Sequence, residues 1–330
     1  MLEKFEMFPD NRKIKEGALF CKCNLWYPII KGIPRMLIED MRYLISKNHG
    51  DFLKKYSHKL PKLVVSGKDK LQESTGRKHS LVKPPPPEFK NWDGSQLLWV
   101  EPLTPEFYKG KVILDAGCRM GTRTYFAGKW GAKLVIGVDI GESVETAFEV
   151  NYEMDNIFII QADIFNIPTE KIFDFIYCMG VLHHMPRQKE AFRKLLVKTK
   201  QGGAMLIWVY RYEQYTDRNI LVFLRHFTIH VNTGLLYLMS KVYTSIFFIR
   251  IKIYNRKYKT KKIQPNPFLK FLSPFRFDEI HKYVFNQLAP PIAKYYRKEE
   301  LEELFTEKAV KSYQLYNTWN QGWKAILDLR

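Results

Sequence analysis

The sequence predicts an α/β fold. It comprises an open, mostly parallel sheet of seven strands with helices packed on it, a helical insertion late in the chain and a small β-rich segment at the amino terminus. Three observations carry this. Short apolar runs recur between residues 111 and 210 at the spacing of strand–helix–strand units. Several end in an acid beside a glycine-bearing turn, as strands that feed a ligand loop do. Two last apolar runs, Val310 to Tyr316 and Trp323 to Leu329, read as a closing antiparallel pair.

Taken in order, Lys111-Val-Ile-Leu-Asp-Ala-Gly-Cys-Arg-Met-Gly121 is a buried parallel strand running into such a loop. Gly117 and Gly121 let the backbone approach a ligand, and Asp115 offers a carboxylate to a cationic group. A dinucleotide fingerprint needs glycines at 117, 119 and 122, but Arg119 and Thr122 stand there, so the loop suits an amino-acid-bearing nucleotide better than a pyrophosphate. A crossover helix from about Thr122 to Gly131 leads to a second strand, Lys133 to Asp139, whose acid can accept from a ribose diol. A third strand, Phe158 to Asp163, puts Asp163 where an adenine amino group could be read. Phe173 to Gly180 is the fourth, followed by Val181-Leu-His-His-Met-Pro186, and Gly202 to Tyr210 is the fifth.

With these motifs in order, residues 111 to 210 resemble class I S-adenosylmethionine (SAM)-dependent methyltransferases of the type 11-like branch. That branch reads D-A-G-C-G-x-G, G-V-D, A-D-I, F-D-x-I-Y-x-x-G-V-L-H-H and G-G on successive strands. The resemblance implies a Rossmann-like seven-stranded methyltransferase sheet, SAM as cofactor and methyl transfer as activity. It further implies that Asp115, Gly117 and Gly121 hold the methionine moiety, Asp139 the ribose, and Asp163 with Ile164 the adenine edge; Cys118, Ile140 and Met179 complete the expected cofactor set. Arg119 departs from the pattern, replacing the family's central glycine, and its side chain is expected to point to solvent.

His183 and His184 face the place where the methyl group would be presented, and a neutral imidazole there could take a proton from a hydroxyl or amine. Adjacent residues point in different directions, so at most one faces the substrate. The alternative is that both brace the loop. Methyl transfer can run largely on alignment, so the enzyme reading does not depend on a base.

The 330 residues exceed one such core, and the chain divides into a zinc-ribbon-like segment (1–45), a basic, proline-containing linker (46–95), the SAM-binding core (96–212), a basic helical cap (213–290) and a closing helix with two strands (291–330). Gly17 to Leu37 resembles the last part of small zinc-ribbon proteins, including partners of tRNA and protein methyltransferases. Zinc wants four ligands and only Cys21-Lys-Cys23 is present, so a metal-free remnant packed on the core is expected. In the linker, Lys83-Pro-Pro-Pro-Pro87 reads as an extended connector. Gln96 to Glu101 and Pro105 to Tyr108 either line the site with aromatics or pack on the sheet edge.

Between Arg218 and Arg276 stand twelve Lys or Arg and no acid, and Ile220 to Ile229 and then Leu235 to Ile249 are strongly apolar. Lys241 and Arg250 keep any window of about twenty residues from being uninterrupted apolar, which favours helices covering the active site over a membrane span. The net charge of +19 attracts polyanions, and the basic stretch 250–262 could meet an anionic membrane surface or tRNA, or be solvated over a buried apolar face. With no signal-peptide pattern and no disulfide framework among four cysteines, the expected location is cytoplasmic, peripheral at a membrane if the cap binds lipid. The acceptor is open: a small or lipid-like metabolite, with tRNA modification or a non-catalytic methyltransferase-fold binding protein as alternatives. The Cys178-Met-Gly-Val run where planar-amine enzymes carry Asn-Pro-Pro-Tyr argues against base or glutamine N-methylation.

Overall fold

A computed structural model describes residues 1–22, 24–38, 41–65, 85, 87–91, 93–212, 223–228, 230–260, 266–290, 292–318 and 321–330. Four antiparallel strands open the chain: β1 (Leu2–Met7), β2 (Ile14–Phe20), β3 (Trp26–Ile30) and β4 (Ile33–Pro34). The main sheet holds β5 (Val112–Ala116), β6 (Leu134–Asp139), β7 (Ile157–Gln161), β8 (Phe173–Met179), β9 (Thr199–Tyr210), β10 (Val310–Thr318) and β11 (Gly322–Leu329), in the order β10-β11-β9-β8-β5-β6-β7. β5 to β9 run parallel and β11 inserts antiparallel between β9 and β10. This is the Rossmann-like seven-stranded sheet that the family resemblance implies.

Alternation along each strand splits the core in two. Leu114, Ile136 and Ile176 pack with Phe192, Leu195 and Leu301 on one face, while Ile113, Val135 and Phe175 pack with Phe126, Ala127 and Ala147 on the other. Strands covered on both faces need continuous apolar runs, which is why these segments were legible as strands. Strand order reverses between β5 and β8, and the crevice outside their carboxyl ends is where open α/β sheets receive ligands.

The amino-terminal unit is a four-stranded antiparallel sheet, so this segment is β-rich as expected; Cys23 lies outside the described residues. It extends past residue 45, through the helices Tyr43–Asn48 and Gly50–Lys55, whose Ile45 and Phe52 are buried with Ile30 and Leu37. The linker therefore starts later than the boundary drawn from composition; residues 66–84 and 86, with most of the proline run, lie outside the described residues. The unit docks on the edge of the main sheet. Arg35 bridges to Gln161 at the end of β7, and Met36 N donates to the Gln161 carbonyl at 2.8 Å.

The cap comprises residues 223–228 and the helices Thr233–Lys259, Pro267–Leu272 and Phe277–Leu288. Leu236, Phe247, Ile251 and Tyr254 of the long helix form a separate apolar cluster with Ile280, Val284, Phe285 and Leu288. By length and composition Gly234–Tyr258 would pass as a membrane span, which the sequence expectation discounted. Its packed side carries polar groups that suit a folded helical pair, since Ser240 Oγ and His281 Nε2 hydrogen-bond at 2.8 Å while buried.

Candidate active site

The loop after β5 is shaped by three residues in the left-handed region, Gly117 (φ 89°), Arg119 (φ 50°) and Gly121 (φ 74°). At Gly117 a Cβ would lie 2.2 Å from Val181, so only glycine lets the loop pass the turn after β8. Arg119 holds the same conformation without that freedom, at a cost of about 1 kcal/mol. The loop is pinned from below, because Gly117 N and Cys118 N both donate to the Val138 carbonyl at 2.8 and 2.9 Å.

Among the described residues two cavities meet beside this loop. The larger, about 270 Å³, is lined by Trp99, Arg119, Arg123, Met179, Trp208 and Tyr210 from the core and by Phe275, Tyr283, Asn286 and Gln287 from the cap. The smaller, about 100 Å³, is lined by Gly117, Ala162, Asp163, Ile164, Met185 and Pro186. Asp139, Ile140, Val181 and His184 line both. One elongated site in two compartments results, just above the lower end of the range of roughly 300 to 1,000 Å³ usual for small-molecule sites.

Asp139, at the end of β6, stands on the shared wall. Its two oxygens accept from the backbone N–H groups of Arg119 (2.9 Å) and Gly141 (2.8 Å), which hold the carboxylate in place with lone pairs to spare. Burial raises its pKa above the usual range. Asp163 likewise is fixed by accepting from Phe165 N at 3.0 Å, capping the short turn Ile164–Asn166.

The sequence-predicted residues sort clearly. Gly117, Asp139, Ile140, Asp163, Ile164, Met179 and His184 line the site; Asp115, Cys118, Gly121 and His183 do not. Asp115 is turned inward, accepting from Thr124 Oγ1 at 2.6 Å, and burial pushes its pKa up to about 6. It fastens the loop to the helix Thr122–Lys129 rather than reaching into the cavity. Gly121 backs onto Asn151, whose Nδ2 donates to the Gly121 carbonyl at 3.1 Å, and Cys118 is buried beneath the loop.

The histidine pair divides as adjacency requires. His183 is fully buried, its ring 3.9 Å from that of Tyr210. His184 faces both compartments, and its Nδ1 donates to the Ile292 carbonyl at 2.7 Å. A carbonyl only accepts, so the proton sits on Nδ1 and Nε2 keeps its lone pair. Burial lowers the pKa of this imidazole to about 4, so it is neutral at neutral pH.

Arg119 corrects the expectation of a solvent-facing side chain. It turns into the larger cavity, and its Nη2 donates to Asn286 Oδ1 on the cap at 3.1 Å. Composition alone could not show this, because the partner lies 167 residues away. Arg123, Trp208 and Tyr210 were also missed. The aromatic pair Trp208 and Tyr210 ends the fifth strand where ligand residues belong, a usable signal, whereas Asn286 and Gln287 arrive only through the cap. The Arg123 Nε and Trp208 Nε1 atoms are buried without a hydrogen-bond partner. Both residues line the larger cavity, as donors kept for a ligand do.

A second network lies behind the shared wall. Arg35, fully buried, pairs with Glu142 (3.3 Å) and Glu145 (3.0 Å), and Gln161 Nε2 donates to the Ile140 carbonyl and to Glu142. His49 with Glu142 and Glu145 has the proximity of a cation site, but the Arg35 guanidinium already supplies the positive charge there.

Residues 114–207 match the family model of the methyltransferase domain. Among curated relatives, the tRNA U34 carboxymethyltransferase of Pseudoalteromonas translucida is 27% identical over 121 residues, 36% of this chain and 36% of that protein. The ubiquinone biosynthesis O-methyltransferase of Coxiella burnetii is 31% identical over 106 residues, 29% of this chain and 42% of that protein. A SAM-dependent methyltransferase structure from Aquifex aeolicus aligns with a TM-score of 0.42 at 13% identity, covering 75% of this chain and 100% of that one. The chain thus spans less than half the length of the curated relatives it matches. Over residues 114–207 the chain is thus similar to methyltransferase domains.

Proposed function

We propose that the chain is a SAM-dependent methyltransferase acting on a small or lipid-like acceptor. The observation that carries this is the shared wall: Asp139 and His184 border both a compartment flanked by Asp163 and Ile164 and an aromatic one reaching the cap. The donor set fits SAM. Asp139 would accept from the ribose diol, Asp163 and Ile164 would border the adenine, and Arg123, half-buried on the wall of the larger cavity, offers a cation to the methionine carboxylate. SAM supplies an electrophilic methyl group on a sulfonium. Trp99, Trp208 and Tyr210 exclude water from the place where the acceptor would sit and favour a cation by their ring faces. His184 Nε2 accepts a hydrogen bond from an acceptor hydroxyl and orients it. With a pKa of about 4 it is a weak base, taking the proton only as the acceptor oxygen loses electron density to the new bond.

A tRNA acceptor is the second reading, favoured by the net charge of +19 and by the name of one relative. Calorimetric titration of the full chain with SAM tests the cofactor reading; no heat at high micromolar ligand sinks it. Labelled SAM offered with lipid extract, with soluble metabolites and with tRNA then separates the acceptors. Label confined to tRNA would replace the metabolite reading.

A further inference from the structure

We infer that the cap docks the protein on an anionic bilayer surface through the outer side of the helix Thr233–Lys259. That helix carries two stripes. Leu236, Ser240, Thr244, Phe247, Ile251 and Tyr254 recur at three- and four-residue steps and are buried, the apolar ones against the helix Phe277–Leu288. Leu235, Leu238, Val242, Ile246, Ile249 and Ile253 recur at the same steps, yet each is between 51% and 67% exposed. At about 100° per residue the second set forms one continuous strip on the far side of the helix from the first, roughly 27 Å long. A folded cap has no need of a second apolar face, and one this long marks a contact.

The borders of the strip say what covers it. In the same projection Lys241 and Lys252 lie along one edge and Arg250 and Lys257 along the other, all exposed, with no acid anywhere from 218 to 276. An apolar strip between two rows of cations matches a bilayer, where alkyl chains receive the strip and anionic headgroups meet the cations. A second copy would bring like charges face to face. Nucleic acid would meet the cations and leave the strip in water, since its binding sites stack bases on aromatics rather than on Leu and Ile. The inner side of the Phe277–Leu288 helix lines the candidate active site through Tyr283, Asn286 and Gln287, so docking would set the site two helical layers from the lipid. The inference does not depend on the nature of the acceptor.

The test is flotation of the full chain with phosphatidylcholine vesicles, with and without phosphatidylglycerol, at low and high salt. The expected result is flotation with the mixed vesicles at low salt and release by salt. The variant I246N/I249N should lower the ratio of bound to free protein by more than about tenfold. K241Q/K252Q should lower it for mixed vesicles, and both variants should bind SAM like the parent, which shows that they fold. The inference is overturned if the parent stays off mixed vesicles, or if I246N/I249N floats like the parent. Light scattering that shows a dimer dissolved by I246N/I249N would overturn it in favour of self-association, and a tRNA gel shift without flotation in favour of RNA.

Discussion

The Arg119 guanidinium donates to Asn286 Oδ1 at 3.1 Å, and this bond ties the cofactor loop of the core to the inner side of the cap. Its donor sits at φ 50°, in a conformation that glycine would adopt without cost. The loop therefore carries strain of about 1 kcal/mol while making a contact that glycine could not make. R119G should leave SAM affinity within a few-fold of the parent and speed amide exchange in Phe277–Leu288, seen by hydrogen-exchange mass spectrometry. A large loss of SAM affinity with unchanged exchange would place Arg119 on the cofactor instead.

Asp139 does two jobs, since it accepts from Arg119 N and Gly141 N and also lines both compartments. D139A should weaken SAM binding by on the order of 1.5 to 3 kcal/mol and also lower the melting temperature, because two backbone donors lose their acceptor. Calorimetry and thermal unfolding check the two effects. Full SAM affinity in D139A would remove Asp139 from the proposed ribose site.

His184 and Asp115 oppose each other in the pH dependence of stability. The His184 pKa falls from 6.5 to about 4 on folding, so the unfolded chain binds its proton more readily and stability is lost as pH drops from 6.5 toward 4. The Asp115 pKa rises from 3.8 to about 6, so the folded chain binds its proton more readily and stability grows as pH drops from 6 toward 3.8. Each contribution is on the order of 3 kcal/mol, and over this window they largely offset. D115N should thus lose stability on acidification more steeply than the parent in denaturant titrations; a shallower slope would contradict the assignment.

Arg35 is buried between Glu142 and Glu145, behind the strand end that carries Ile140. R35M should cost about 3 kcal/mol, the low end for a broken buried pair, because both acids keep partial exposure. Urea unfolding measures it. SAM affinity should fall too, since Gln161, itself bonded to Arg35 and Glu142, holds the Ile140 carbonyl; an unchanged affinity would confine Arg35 to joining the amino-terminal sheet to the core.

The strands β5 to β11, the left-handed loop and the acids at strand ends were legible because a doubly covered parallel sheet and a tight ligand loop impose local patterns on sequence. The apolar runs and the glycines Gly117 and Gly121 are local signals. So was the division of labour between His183 and His184 in outline, because neighbours cannot face one way. Which of the pair faces the site was not legible, since the Ile292 carbonyl that orients His184 lies 108 residues away. Direction and long-range partnership belong to the tertiary structure. It turned Arg119 into the site and Asp115 away from it, set Arg35 against an edge strand, and chose which of two apolar stripes of the long cap helix would be buried. Sequence by itself determined the sheet and its ligand loop; packing between distant segments decided where the charged side chains point, because a charge's orientation depends on partners that no local pattern encodes.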